Sequence, residues 1–455
     1  MGGVLAMREM EGAGRSRAPA FLPADLLPEP QGGLYQGLYK RLRTFILDGV
    51  WPPGTRLPSS RTLAADLKVS RNTAILAVEQ LIADGWAESR SRSGVYVSIG
   101  PAVAPAVAPP QPRARDAAEL PPFAPERPAA DLFPAQVWKQ LQARAWAQIE
   151  PHHLVTADPA GDAGLRETIA RLVCAPRGLR CHPDQILIVP TATAAIDLVA
   201  ATLLRAGDAT LIEAASRPSV RHLLAARGAR LEVIGGEPAD IPAPLACTGF
   251  DGAARPWLLD WARGCGGWVL EDDRDSELWF DETPLPPLAA EDGARVLLAG
   301  SFNRILFPGL CVAFLVAPAA LVEPLRDAHA IVGGRASLAS QLALEAFIAE
   351  GHFARHLRRR RQAYAERRAA LIDCLGAIAD PARVNRAGLH LGIDVGPGRA
   401  RAVAARLAAE RLGGSACSGT DSRLLLGLGA TPETIRAEGP RLTAAILSEL
   451  SQGHS

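Results

Sequence analysis

Lysine is nearly missing from this chain. Of its 49 basic residues only Lys40, Lys68 and Lys139 are lysine, and none follows Lys139 in the 455 residues. Chemistry that holds a carbonyl compound as an imine on a protein amine must find that amine before residue 140. Cysteine offers no metal framework: seven residues stand at irregular spacing (Cys174, Cys181, Cys247, Cys265, Cys311, Cys374, Cys417), with no second close pair beside Cys174 and Cys181. An odd count fits a reducing compartment. The opening MGGVLAMREMEGAGRSR has too short an apolar part and too much charge to direct export or to cross a bilayer, and residues 1–32 read as a disordered leader. Charge of one sign is also lacking, with a net of +1, so any nucleic-acid footprint must be local.

What is present is modular. A length of 455 residues with 48% apolar composition suggests two or three domains. Residues 98–130 are dense in Pro and Ala without periodicity and read as an extended linker between a small module, 33–97, and a large one, 131–455. In the small module, LYQGLYKRLRTFILDG sets Leu34, Leu38, Leu42, Phe45 and Ile46 on one helical stripe that stops at Gly49. Ser59 or Ser60 can cap a second short helix, RTLAADL, and Ser70 a third, RNTAILAVEQLIADG, with Ala74, Val78, Leu81 and Ile82 inward. Two capped helices joined by KVS predict a helix-turn-helix, and WAESRSRSGVYVS predicts a two-stranded wing. Arg61, Arg71, Asn72 and Thr73 gather at helix starts, where they meet phosphates and base edges, while Arg90 and Arg92 sit on the wing. Taken singly, each arginine also suits a solvated face.

The stretches "LDGVWPPGTRLPSSRTLAADLKVSRNTAILAVEQLIADGW" and "SRSGVYV" resemble the winged helix-turn-helix of the GntR family of bacterial transcription regulators. That resemblance implies DNA contact by Arg61, Arg71, Thr73, Arg90 and Gly94.

In the large module, apolar runs such as DQILIVP, ATLIEA, LEVIG, GWVLED and ARVLLAG alternate with helical stretches, which predicts an α/β fold around a mostly parallel sheet. The ordered set "DLFPAQVW", "ADPAGDAGLRETIARLVCAPRGLRCHPDQILIV", "EDDRDSE", "GSFNRILFPGL" and "RHLRRRRQAYAERRAAL" resembles the MocR subgroup of those regulators. Their large domain is similar to fold-type I aminotransferases. Membership implies a cytoplasmic, nucleoid-associated regulator, a head-to-tail homodimer on two operator half-sites of double-stranded DNA, and sensing through pyridoxal phosphate.

Position by position, the resemblance places the family's imine-forming lysine on Arg304, whose guanidinium forms no ordinary imine. Asp272 keeps the place of the acid that pairs with the pyridine nitrogen, and Ser301 that of a phosphate-binding hydroxyl. Arg274 replaces a tyrosine, Arg217 the aromatic that stacks on the ring, and Cys311 a phosphate-binding arginine. Thr191, Ala192 and Thr193 replace the Gly-Ser-Gln phosphate loop, the Ser-His-Gln-Pro-Thr-Gly segment is not recognisable in LACTGFDGAAR, and Arg423 lies near the place of the substrate-carboxylate arginine. The reading is a non-catalytic regulator with no covalent cofactor and no metal; an active aminotransferase with an accessory DNA module is the competing class. Three states of the pocket formed by Thr193, Arg217, Asp272, Arg274, Ser301 and Arg304 stay open: plugged by its own ion pairs, filled by a small anionic effector, or holding pyridoxal phosphate noncovalently. The arginines of HFARHLRRRRQAYAERRAAL are expected on a solvated or dimer-facing side, with Phe353, Leu357, Tyr364 and Leu371 inward.

Overall fold

The computed structural model describes residues 34–91, 93–98, 120–155, 158–213, 216–238, 240–249, 252–273, 276–279, 285–332, 334–379, 388–417 and 422–452. The chain divides into two compact units, Met1–Ala117 and Ala118–Ser455. The expected leader and most of the expected linker lie outside the described residues.

The first unit packs α1 (Leu34–Leu47), α2 (Ser60–Asp66) and α3 (Arg71–Ala83) with the antiparallel pair β1 (Ala87–Arg90) and β2 (Gly94–Val97). Leu38, Leu42, Leu63, Ala74, Ala77 and Leu81 form its core, closed by the buried Trp51 edge-on to Phe45. Gly49 ends the α1 turn in the left-handed region, which a glycine adopts at no steric cost. Ser59 and Ser70 accept the amide protons of Thr62 and Thr73 and so satisfy otherwise unpaired groups at the helix starts. Lys68 takes a left-handed conformation, φ 52°, in the turn that sets α3 against α2.

In the second unit, residues 120–130, read as linker from their Pro and Ala content, are folded onto the C-terminal part of the domain. Phe123 is fully buried there, donating its N–H to Leu412 O (2.9 Å) and accepting at its carbonyl from Gly427 N (2.8 Å). Composition hid this because one aromatic supplies the anchor, and Gly427 leaves the room: a Cβ there would lie 2.0 Å from Ala124 O.

The helices and strands then alternate: α4 (Ala135–Ala147), α5 (Ala163–Thr168), β3 (Ile186–Val189), α6 (Ala192–Leu203), β4 (Ala209–Glu213), α7 (Pro218–Ala226), β5 (Arg230–Ile234), β6 (Leu245–Gly249), α8 (Arg255–Cys265), β7 (Trp268–Asp272), α9 (Leu288–Glu291), β8 (Val296–Ser301) and β9 (Ala313–Val316). Among the described residues seven strands form one sheet in the order β3-β9-β8-β7-β6-β4-β5. It is parallel from β8 to β5, and β9 runs antiparallel to both its neighbours. β3, β8 and β9 are buried on both faces because helices cover both, which is why β3 and β8 read as unbroken Ile, Val and Leu runs. LACTG and AFLV, passed over in the sequence reading, are the buried strands β6 and β9.

The chain continues through α10 (Val322–Val332), α11 (Leu338–Ala349) and the long α12 (His352–Leu375). A smaller layer follows, made of β10 (His390–Asp394), α13 (Ala400–Ala409), β11 (Ser415–Ala416), β12 (Arg423–Gly427) and α14 (Pro432–Gln452), with its own core. Two of the arginines of α12 contradict the solvated reading. Arg360 and Arg367 are buried, Arg360 donating to Tyr364 Oη (3.0 Å) and Arg367 to Asp131 Oδ2 (2.5 Å), and both stack on the Tyr364 ring. A guanidinium can be buried where fixed acceptors and an aromatic face replace its water.

Candidate functional site

In the first unit, Arg61 lies in the first turn of α2, and Arg71 and Asn72 in the first turn of α3. All three are exposed, beside helix starts whose dipoles and free amide groups favour phosphate. Thr73 is half-buried, its hydroxyl 2.7 Å from Ser70 Oγ, so it serves the cap first. On the wing, Arg90 pairs with Glu88 (2.6 Å) and lies over the Tyr96 ring at 4.6 Å. Gly94 closes the β1–β2 turn at φ 112°, and a Cβ there would meet Arg56 Nε at 3.0 Å. Arg56 therefore belongs to this surface, although no motif pointed to it; Arg92 is outside the described residues.

The second candidate site lies at the carboxyl ends of the parallel strands, where ligands of open α/β sheets bind. Asp272 ends β7 and Ser301 ends the neighbouring β8. Arg217 stands just before the first turn of α7 and donates to Asp272 Oδ2 at 2.7 Å, while its other amino group reaches Ser219 Oγ. The acid that would face a pyridine nitrogen is thus ion-paired within the protein. Thr193 is half-buried in the first turn of α6, which Thr191 caps. Ser301 is buried and accepts from the amide of Asn303 (3.3 Å). Arg274 and its neighbour Asp275 fall outside the described residues.

Arg304 follows in a loop held from two sides. Asn303 donates to Pro190 O (2.8 Å) and accepts from Val312 N (2.9 Å). From α12, Arg360 donates to the carbonyl of Arg304 (3.3 Å) and His356 Nε2 to that of Ile305 (2.9 Å). Burial keeps the His356 imidazole below its ordinary pKa, hence neutral. Cys311, in the place of a phosphate-binding arginine, is exposed in a left-handed turn at φ 53°. Asn303, His356 and Arg360 carried no chemical motif, so sequence reasoning missed them.

Beneath Asp272 run two further ion pairs. Asp273, fully buried, is gripped by both terminal nitrogens of Arg177. Glu271, also fully buried, pairs with Arg255 and accepts from Leu288 N (2.8 Å). Burial outweighs these partners and pushes the Glu271 carboxyl from 4.5 up to about 7. Between those values the folded chain keeps a proton that the unfolded chain has released, so stability falls as pH rises through the window, by at most about 1.4 kcal/mol per unit. Melting temperatures from pH 5 to 7 check this: the downward slope should flatten in Glu271→Gln, and an equal slope in both proteins would remove Glu271 as its source.

Among the described residues no group of three metal-ligating side chains occurs, and no helix is long and apolar enough to cross a membrane.

Residues 34–97 match the family model described as bacterial regulatory proteins, gntR family. The chain is 32% identical over 411 residues to a probable rhizopine catabolism regulatory protein, MocR, of Rhizobium meliloti, covering 79% of this chain and 81% of that one. It is 32% identical to the transcriptional regulator TauR of Rhodobacter capsulatus, over 77% and 81% of the two chains. Among solved structures, the α-aminoadipate aminotransferase LysN of Thermus thermophilus superposes with a TM-score of 0.63 at 26% identity, covering 72% of this chain and 92% of its own.

Proposed function

Given that this chain belongs to the MocR subgroup of GntR-family transcription regulators, we propose that its aminotransferase-like domain has lost covalent pyridoxal phosphate and serves as a non-catalytic sensor or dimerisation domain. That the protein is a DNA-binding regulator built on such a domain is the premise. The observation that carries the proposal is the ion pair between Arg217 and Asp272, next to a loop where Arg304 stands in the lysine's place. Pyridoxal phosphate does not fit these residues: position 304 carries a guanidinium instead of an amine, no lysine follows Lys139, and the acid for its ring nitrogen is ion-paired to Arg217. A small carboxylated or phosphorylated effector that displaces Asp272 from Arg217 would change the charge pairing there.

At the other end of the chain, Arg71 and Asn72 read base edges from the start of α3, Arg61 and the capped amides hold phosphates, and Arg90 and Gly94 shape the wing against the backbone. A homodimer would place two such units on two half-sites.

Selection of duplexes from a random DNA pool with the full-length protein tests the regulator reading. The expected result is an enriched sequence with two related half-sites, bound with affinity that falls linearly on a log scale with salt. An enriched single site bound at one protomer would overturn the dimeric arrangement, and no enrichment at all would overturn sequence-specific binding by this unit.

A further inference from the structure

The wing of the first unit carries a third extended segment. Residues 54–57 run antiparallel along β2: Gly54 N donates to Val97 O (3.0 Å), Val97 N to Thr55 O (2.8 Å) and Leu57 N to Val95 O (2.8 Å), so that Arg56 stands opposite Tyr96. Side chains alternate between the two faces of such a sheet. Thr55 and Leu57 are buried in the core, and Arg56 between them is exposed. β1 pairs with β2 at Glu88–Tyr96 and Arg90–Gly94, which puts Arg56, Glu88 and Arg90 on one outer face of the wing.

The two arginines of this face differ in their partners. Arg90 donates from Nε and Nη2 to Glu88 Oε1 (2.8 and 2.6 Å) and lies over the Tyr96 ring, whose hydroxyl is 2.7 Å from Ser93 Oγ in the turn. Its charge is balanced within the wing, and the Glu88 carboxylate repels a phosphate brought to that spot. The Arg56 guanidinium makes no ion pair or hydrogen bond among the described residues. It crosses the β1–β2 turn at Gly94, where an added Cβ would lie 3.0 Å from its Nε and 3.3 Å from its Nη2. Glycine at that position permits both the turn, at φ 112°, and the passage of the arginine over it.

From this arrangement we infer that Arg56 is the phosphate contact of the wing, and that Arg90 is a positioning residue that holds the wing through Glu88 and Tyr96. With DNA binding by this unit as the premise, the contact passes from the arginine that the family resemblance suggests to one that no motif marks. A guanidinium without a protein acceptor keeps its N–H donors for the oxygens of the DNA backbone. Such a contact carries no sequence information, so it adds affinity on any duplex and releases about one counterion. Arg56 also stands just ahead of Ser59, the cap of α2, which joins the wing contact to the helix start that bears Arg61.

Fluorescence anisotropy with the full-length protein tests this, on the selected duplex and on an unrelated one, from about 50 to 200 mM salt. Arg56→Ala should weaken binding to both duplexes by a similar factor and lower the salt slope by about 1. Over that rise in salt the wild-type protein then loses ~3- to 4-fold more affinity than the variant. Arg56→Lys, which keeps the charge, should restore the slope, and Arg90→Ala should leave it unchanged. Gly94→Ala should weaken binding less in the Arg56→Ala background than in the wild-type protein, because part of its effect is to displace that side chain. A slope lowered by Arg90→Ala and not by Arg56→Ala would return the contact to Arg90. Wild-type binding with a slope that Arg56→Ala leaves unaltered would overturn the role of Arg56 alone, whereas a wild-type protein that binds neither duplex would overturn DNA binding by this unit and the phosphate contact with it.

Discussion

Incubated with pyridoxal phosphate and reduced with borohydride, the purified protein should carry no phosphopyridoxyl group anywhere after Lys139 and show no site-specific imine absorbance. The effect is all-or-none because it concerns the existence of a bond. Residues 140–455 hold no lysine, and arginine stays charged at any physiological pH. Imine formed on the sparse lysines of residues 1–139 should be removed by free amine added before the borohydride, and any that survives maps to those lysines. The loop geometry makes the converse experiment informative. Since Asn303, Arg360 and His356 hold this loop through its backbone, Arg304→Lys should present an amine from an unaltered main chain. In that single variant Asp272 remains tied to Arg217, so the imine should be weak; Arg217→Tyr combined with Arg304→Lys should strengthen it by freeing the carboxylate for the ring nitrogen. A stable imine in the wild-type protein would reinstate cofactor sensing, and an equally weak imine in both variants would show that the Arg217–Asp272 pair is not what blocks the site.

The second large effect concerns DNA. Arg71→Ala, and separately Asn72→Ala, should each lower the affinity for the selected sequence by ~1–3 kcal/mol, a loss of roughly 5- to 150-fold, while hardly changing binding to unrelated duplex. Arg61→Ala should weaken binding to both and reduce the salt slope by about 1. Fluorescence anisotropy over a series of salt concentrations separates the two patterns. If Arg71→Ala weakened specific and non-specific binding equally, its role would be phosphate contact, and the base-reading assignment would pass from the helix start to other exposed residues of α3.

The helix-turn-helix was the most legible part of the chain because its signals are local. A serine caps the turn that follows it, and a glycine ends the helix before it, so Ser59, Ser70 and Gly49 mark α1 to α3 without reference to anything distant. The apolar strands of the sheet were legible for a related reason: burial on both faces leaves unbroken Ile, Val and Leu runs, as in β3, β4 and β8. β6 escaped notice because LACTG mixes small and polar residues, which a strand at the centre of a sheet accepts once helices cover it.

Sequence alone therefore determined the two-module organisation, the α/β class and the absence of lysine after Lys139, since each depends on composition or on contacts within a few residues. Tertiary structure decided which charges meet. Arg217 and Asp272 stand 55 positions apart and Arg177 and Asp273 96 apart, and the Arg360 guanidinium meets the backbone carbonyl of Arg304 across 56 positions. Their pairing depends on strand order and on how helices return to the sheet, and no local periodicity encodes it. The same long-range closure buries Arg360 in a run of four arginines that looks uniformly solvent-facing, because one helical position out of every three or four turns inward whatever its charge.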